Sequence, residues 1–549
     1  MIDLSIFGLS DIVLSLKVTH LANFFAVLIA FSSFILLFLA RNYSLSKSFY
    51  ALYTLLIASL FLIVYANDYL LFFIAWETMS VSTYFLLSFT LSKKVLHKYI
   101  IFAMASALSF FIAILMLYSS QHSFLYADAQ ASFEAMGSFE GIFFVALMLF
   151  AIFVKLGTIG FHYWLVDTYE SAHNIFTPFL SAILSKMGVY ALIIFVVYVA
   201  QPSYVLAIMG VITSIIATFK AIDENNMKRL LAYSSIAQLG YIVTVLGVVD
   251  GMGGALYHSL IHTAVKLLLF INVAGIIFVT GREKLSDLGG LIYKMPQSFV
   301  LLLVGIIALA GMPPLGGFAS KFMIYTSLLD AKYLLVLAAV MFSSASAFLY
   351  IYKLIYSIYL GHPTHKKLET VKEVPFSFLI PQYLLALLLI VIGTFPALII
   401  PYLNAILKDF HIKTIAFTDA ATLITPHAQY NGFIVMGAFG AIFVVVLLVF
   451  ISLRSRAKNV KNRFDIAYCG EEPNEASHLH YGYSMGKELK RVGFINTILK
   501  NSSSYMYKFL ATQTLYFSDI FRKIYSGNIS LNFNIAIGFL LILLWWSLK

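Results

Sequence analysis

Apolar runs of about 20 residues recur along the chain, separated by short segments that gather its Lys, Arg, Asp, Glu, Gly and Pro. A helix rises about 1.5 Å per residue and a bilayer's hydrocarbon layer is about 30 Å thick, so each run can cross a membrane. The pattern predicts fourteen spans, near residues 21–41, 49–66, 69–90, 97–118, 141–163, 176–199, 204–219, 229–248, 252–279, 298–330, 335–361, 379–402, 431–453 and 531–547. The tenth is long because it contains a break. Residues 1–20 carry Asp3, Asp11 and Lys17, are too interrupted to span, and are expected to form a short external lead-in. They show no basic stretch followed by a small-residue cleavage site, so no cleaved signal peptide is expected.

Composition agrees with the pattern. Of 549 residues, 61% are hydrophobic and 11% charged, which is more apolar surface than soluble domains can hide. The charge is positioned too. If both termini lie on one side, the loops there hold Lys17, Lys332, Lys408, Lys413 and Lys549. The opposite loops hold 26 Lys and Arg, twelve of them in the segment 454–530. The basic side is therefore expected to be cytoplasmic, with both termini outside an inner (cytoplasmic) membrane. The net charge of +11 is a topogenic signal that calls for no nucleic-acid partner. The single cysteine, Cys469, excludes an intramolecular disulfide.

Five lysines fall inside spans: Lys155, Lys186, Lys266, Lys321 and Lys353. Lys353 stands near a cytoplasmic helix end and is expected to snorkel to the headgroups. The other four are too deep for that. One acid, Glu77, and two histidines, His258 and His262, lie equally deep. Each charge at mid-bilayer costs about 2.5–3.5 kcal/mol on insertion scales, and one glutamate cannot pair with four lysines. Groups that cannot all be charged at once are the raw material of a proton relay. His258, His262 and Lys266 stand at i, i+4 and i+8, one stripe with steps of about 6 Å. The two histidines have no acidic or cysteine partner nearby, so no metal is expected.

Gly311-Met-Pro-Pro-Leu-Gly-Gly317 must break its helix near mid-membrane, because two prolines cannot donate and three glycines relax the backbone. Lys321 follows closely. The fifth span holds a softer version: Lys155, Gly157, Gly160, then His162, Tyr163 and Trp164. Interrupted helices in corresponding positions of two halves point to an inverted-repeat transport fold.

Trp76-Glu77, Lys155 to Leu165, Lys186-Met-Gly-Val-Tyr190, Lys228 to Ile236, His258 to Phe270 and Pro313 to Lys321 together resemble one family. It is the antiporter-like membrane subunits shared by respiratory complex I, Mrp sodium/proton antiporters and membrane-bound hydrogenases. The resemblance implies an all-α polytopic membrane protein of about 14 transmembrane helices, with two inverted five-helix repeats (49–199 and 204–361) and a broken helix in each. It leaves 1–48 as lead-in and first helix, 362–453 as additional helices, and 454–549 as a cytoplasmic loop, an amphipathic lateral arm and a final span. It implies that Glu77 and Lys155 form an acid–lysine pair, that Lys186 connects the halves, that His258, His262 and Lys266 continue the axis, and that Lys321 is its terminal lysine near the external exit. Tyr233, Ser234, Ser235 and Gln238 either line water or serve as packing hydrogen bonds. The family usually carries two further helices before the segment matching 21–41, and prolines where this chain has Gly160-Phe161 and Val166. The tail from Asp465 to Glu471, with the stretch near 485–527, looks most like the large antiporter-like subunit of hydrogenase-4 and formate hydrogenlyase complexes.

No nucleotide loop, iron–sulfur cysteine set, or quinone or flavin motif is present, so no cofactor is expected in this chain. The expected role is a non-catalytic proton-pumping subunit beside other antiporter-like subunits and a peripheral redox arm. The alternatives are a subunit of a sodium/proton antiporter, a structural scaffold and a small-solute carrier.

Overall fold

Short polar residues start the helices. Thr19, Ser46, Asp68, Ser203 and Asn226 each accept a hydrogen bond from a backbone N–H in the first turn of the helix that follows, a cap worth about 1 kcal/mol. The computed structural model describes residues 2–5, 13–360, 368, 370–454, 489–499 and 502–524. Cys469, the 465–471 segment and the span expected at 531–547 lie outside them.

The helices follow in order: α1 His20–Ala40, α2 Lys47–Tyr65, α3 Tyr69–Ser88, α4 Lys93–Gln121, α5 Ala129–Glu134, α6 Ser138–Leu156, α7 Tyr163–Ser171, α8 Thr177–Phe179, α9 Ser185–Tyr198, α10 Tyr204–Asp223, α11 Met227–Leu246 and α12 Met252–Thr280. Then come α13 Pro296–Ala310, α14 Gly316–Asp330, α15 Leu334–Ile355, α16 Phe376–Thr394, α17 Ile400–Asp409 and α18 Gly432–Arg454. A π-helical stretch, Leu180–Leu184, joins α8 to α9. Twelve segments among the described residues are long and apolar enough to cross a membrane. The pair α13–α14 adds the expected broken span.

The expected span 379–402 is corrected. Its helix ends at Thr394, and Pro396 and Pro401 begin separate short helices, because proline lacks the N–H that would continue the ladder. Two small sheets were not anticipated: the hairpin Ile2–Ser5/Val13–Leu16 within the lead-in, and three strands between Ala416 and Asn431.

Loops expected on one face meet one another. Ser15 N–H donates to Asp68, His20 pairs with Asp409, and Asp330 pairs with His427. On the opposite face, Arg229 bridges Asp167, Glu170 and Glu224, while Lys228 pairs with Glu283. Burial pushes the Glu224 carboxyl above its usual range even though Arg229 pulls it down. Burial, helped by the Lys228 charge, pushes His173 below its ordinary value.

Helices α11 and α12 form the centre, and α18 is exposed along most of its length. Helices α10 and α11 approach through Gly210 and Gly240. A Cβ on Gly210 would stand 2.4 Å from the Thr244 nitrogen and 2.7 Å from the Gly240 oxygen, the small-residue contact by which membrane helices associate. A second compact unit, Lys487–Lys549, contains the helix Ser502–Ile524. There the expected amphipathic stretch is helical, with Phe509, Leu515, Tyr516 and Phe517 exposed beside Lys508 and Arg522.

Candidate functional site

Both breaks form. Helix α6 ends at Gly157, α13 ends at Gly311, and both glycines are left-handed, with φ +68° and +73°. The first break holds without the family's prolines: Trp164 Nε1 reaches back across it to the carbonyl oxygen of Val154, 2.8 Å away. Each break takes helix C-terminal carbonyls out of the helical ladder inside the protein, and a lysine stands at each.

Lys321 comes from the second half-helix and reaches back. Its Nζ donates to the carbonyls of Ala310 at 2.7 Å and Leu309 at 3.3 Å, and to Ser344 Oγ at 2.7 Å. The path of its chain explains Gly311, where a Cβ would lie 2.4 Å from Lys321 Cδ. Lys155 occupies the last turn of α6. Its Nζ donates to Ser80 Oγ at 2.7 Å and sits 5.5 Å from the Trp76 ring centre.

Glu77 lies half-buried on the same helix as Ser80, three residues earlier, so the two share a face. No ion pair joins Glu77 to Lys155 among the described residues, and Glu77 Oε1 has no hydrogen-bond partner. The expected acid–lysine pair makes no direct contact, and Lys155 is bonded to Ser80 one turn along α3.

Between Lys155 and α9 lies a cavity of about 20 Å³ that touches Tyr99, Trp164 and Ser185, room for about one water. Lys186 follows Ser185 and bonds His262 Nδ1 at 2.7 Å. His262 and His258 stack, with ring centres 6.2 Å apart and planes 11° apart. His258 Nδ1 meets Ser320 Oγ at 3.0 Å, and the Nε2 atoms of both histidines are buried without a partner. The Tyr241 ring bridges onward, 6.1 Å from His258 and 5.4 Å from Lys321 Nζ.

Lys266 leaves this row. Its Nζ bonds Ser234 Oγ at 2.6 Å and the Leu231 carbonyl at 3.2 Å, on α11. Ser235 meets Ser181 Oγ at 2.8 Å, Tyr233 stands beside His162, and Gln238 is buried against Tyr350. On the face of the lead-in, a cavity of about 260 Å³ is lined by Asp250, Gly254, Met323, Thr326, Asp330 and Lys413. Gly254 precedes His258 by one turn, and Met323 follows Ser320 by nearly one.

Two placements are corrected. Lys353 does not snorkel: it is 2% exposed and its Nζ donates to the Ile222 carbonyl at 2.9 Å. The C-terminal end of α10 covers it, which counting from the end of α15 does not reveal. Lys220, which the expected span 204–219 leaves among the loop cations, belongs to the last turn of α10 and is buried. The residues missed were Ser80, Tyr241, Ser320 and Ser344. Hydroxyls are common in membrane helices, and the one signal available was their helical spacing from named residues: Ser80 three after Glu77, Ser320 beside Lys321.

Residues 66–347 match the family described as NADH:quinone oxidoreductase/Mrp antiporter, TM. A Na(+)/H(+) antiporter subunit of Bacillus subtilis (strain 168) is 25% identical over an alignment of 438 positions that covers 71% of this chain and 54% of that protein. The match thus spans about half that relative's length. NAD(P)H-quinone oxidoreductase subunit 2 of Thermosynechococcus vestitus is 31% identical over 354 residues, covering 60% of this chain and 68% of that one. A chain of the membrane-bound sulfane sulfur reductase, an archaeal respiratory membrane complex, superposes with TM-score 0.85 at 27% identity, over 99% of this chain and 91% of that one. A chain of the Mrp complex from Dietzia sp. DQ12-45-1b shares the fold at TM-score 0.68 and 18% identity, over 73% of this chain and 85% of that one.

Proposed function

The chain belongs to the NADH:quinone oxidoreductase/Mrp antiporter transmembrane family, and on that premise we propose that it is a proton-translocating membrane subunit of a redox complex. The observation that carries this reading is the 2.7 Å contact between Lys186 and His262. It joins the first-half lysine row to the histidine row inside the bilayer, where unpaired ionisable groups are costly.

Protons pass from the cytoplasm to the outside by way of Glu77, Lys155, Lys186, His262, His258 and Lys321, with Lys266 as a side arm. Lys155 has two stations on one face of α3, Ser80 and Glu77. Moving to Glu77 favours its charged form, and returning to neutral Ser80 releases the proton. The cavity between Asp250 and Asp330 is the exit on the far side. The basic face is cytoplasmic, the termini are outside, and 49–199 and 204–361 are inverted repeats. The shared chemistry of the two breaks supports the repeats.

The redox groups belong to partner subunits. The likeness to the sulfane sulfur reductase chain over nearly the whole sequence favours an assembly of that broad kind, and the tail favours a hydrogenase-4 type relative. The relationship to the Bacillus subtilis antiporter protein supports the second reading, sodium/proton exchange. Mass spectrometry of co-purifying subunits separates them: redox subunits against small antiporter subunits. Lys155→Ala or Glu77→Ala in the assembled complex tests the relay. Lowered proton translocation with intact assembly supports it, and unchanged translocation refutes it.

A further inference from the structure

Lys353 is a buried amine that the relay above leaves unused. One face of α15 carries Ser343, Ala347, Tyr350 and Lys353 at helical spacing, all nearly or fully buried. This stripe faces α10 and α11. Thr218 of α10 meets Ser343 Oγ at 3.2 Å, and Tyr241 of α11 donates to Ser343 Oγ at 3.0 Å. Thr218 lies one turn before Ile222, whose carbonyl takes the Lys353 ammonium.

At the other end, Lys321 Nζ lies over the Tyr241 ring and donates to Ser344, the neighbour of Ser343. Polar groups therefore run from Lys353 to Lys321 without Lys186, His262 or His258; Tyr241 touches both routes, its ring facing His258 and its hydroxyl facing Ser343. Two further buried polar side chains, Gln238 and Tyr350, stand beside the row and against each other. Buried polar groups of this kind are ordinarily completed by ordered water.

We propose that the α10–α11–α15 seam is a second proton-uptake branch that delivers protons from Lys353 to Lys321 without passing through His262. The inference rests on the relay reading, because both branches end at Lys321. Lys353 gives one proton to the chain and recovers one from the cytoplasmic side. Each water or hydroxyl accepts a proton on one side and releases its own on the other, so no charge stays on Ser343 or Tyr241. A neutral Lys321 takes up the last proton. The competing role for these hydroxyls is interhelical adhesion alone.

The test uses the assembly purified through a tag on this chain, placed in liposomes with a trapped pH dye and driven by a potassium diffusion potential. His262→Ala interrupts the axis, while Ser343→Ala or Tyr241→Phe interrupts the branch. Each single variant is expected to lower flux about twofold and the combination at least about tenfold, a non-additivity that parallel routes produce. Ser343→Thr, which keeps the hydroxyl, restores the flux and separates conduction from packing. The branch is overturned if His262→Ala alone falls to the leak of protein-free liposomes, or if the branch variants leave flux unchanged in both backgrounds. Lys321→Ala at full flux, or wild-type flux no greater than that leak, overturns the relay reading itself.

Discussion

The Lys321 ammonium reaches back across a helix break to the carbonyl oxygen of Ala310, 2.7 Å away. A lysine at a helix C-terminus is held by the helix's own partial negative charge as well as by its hydrogen bonds. These acceptors offset part of the cost of burying the charged form, with no carboxylate partner among the described residues. A proton can then arrive and leave without breaking an ion pair, which is what the last carrier of a relay needs.

Gly311→Ala tests how tightly that geometry is specified. The new Cβ meets Lys321 Cδ at 2.4 Å, and a left-handed non-glycine residue costs about 1–2 kcal/mol. The expected result is an assembled complex with a modest loss of thermal stability and a large loss of proton flux. Normal flux in Gly311→Ala shows that Lys321 does not need this path.

Lys353→Ala is expected to be costly, whereas a snorkelling lysine would be nearly silent. Truncation strands the Ile222 carbonyl and opens a space beside α10, worth about 1–3 kcal/mol for the unpaired group alone. Thermal unfolding in detergent measures it. An unchanged midpoint contradicts the burial.

His173 gives a pH signature. Its folded-state proton affinity is depressed by burial and by Lys228, so its contribution to stability is full above the ordinary value of 6.5 and is lost as pH falls below it. The wild-type unfolding temperature should drop on acidification through that range. His173→Gln should drop less. Parallel pH profiles for the two proteins contradict the assignment.

Most of the apolar spans among the described residues, and the ionisable side chains inside them, were legible because charge inside a span is expensive and therefore conspicuous. Gly311 to Gly317 announced its break through two prolines. The break after Lys155 was legible only through Gly157 and Gly160, and it is completed by a cross-break bond from Trp164 that has no sequence signature. Lys353 was misread because depth along one helix says nothing of a neighbouring helix end that covers it. The pairing of Lys155 with Ser80 instead of Glu77 was not legible either. The two candidates lie three residues apart on one face, and only the packing of α6 against α3 chooses between them.

The most direct test of the relay is proton flux through the reconstituted assembly with Lys321→Met, a side chain of similar length that cannot carry a proton. Both routes converge on Lys321, so flux should fall to the leak of protein-free liposomes while the subunits still co-purify. Wild-type flux from an intact Lys321→Met assembly would contradict the account.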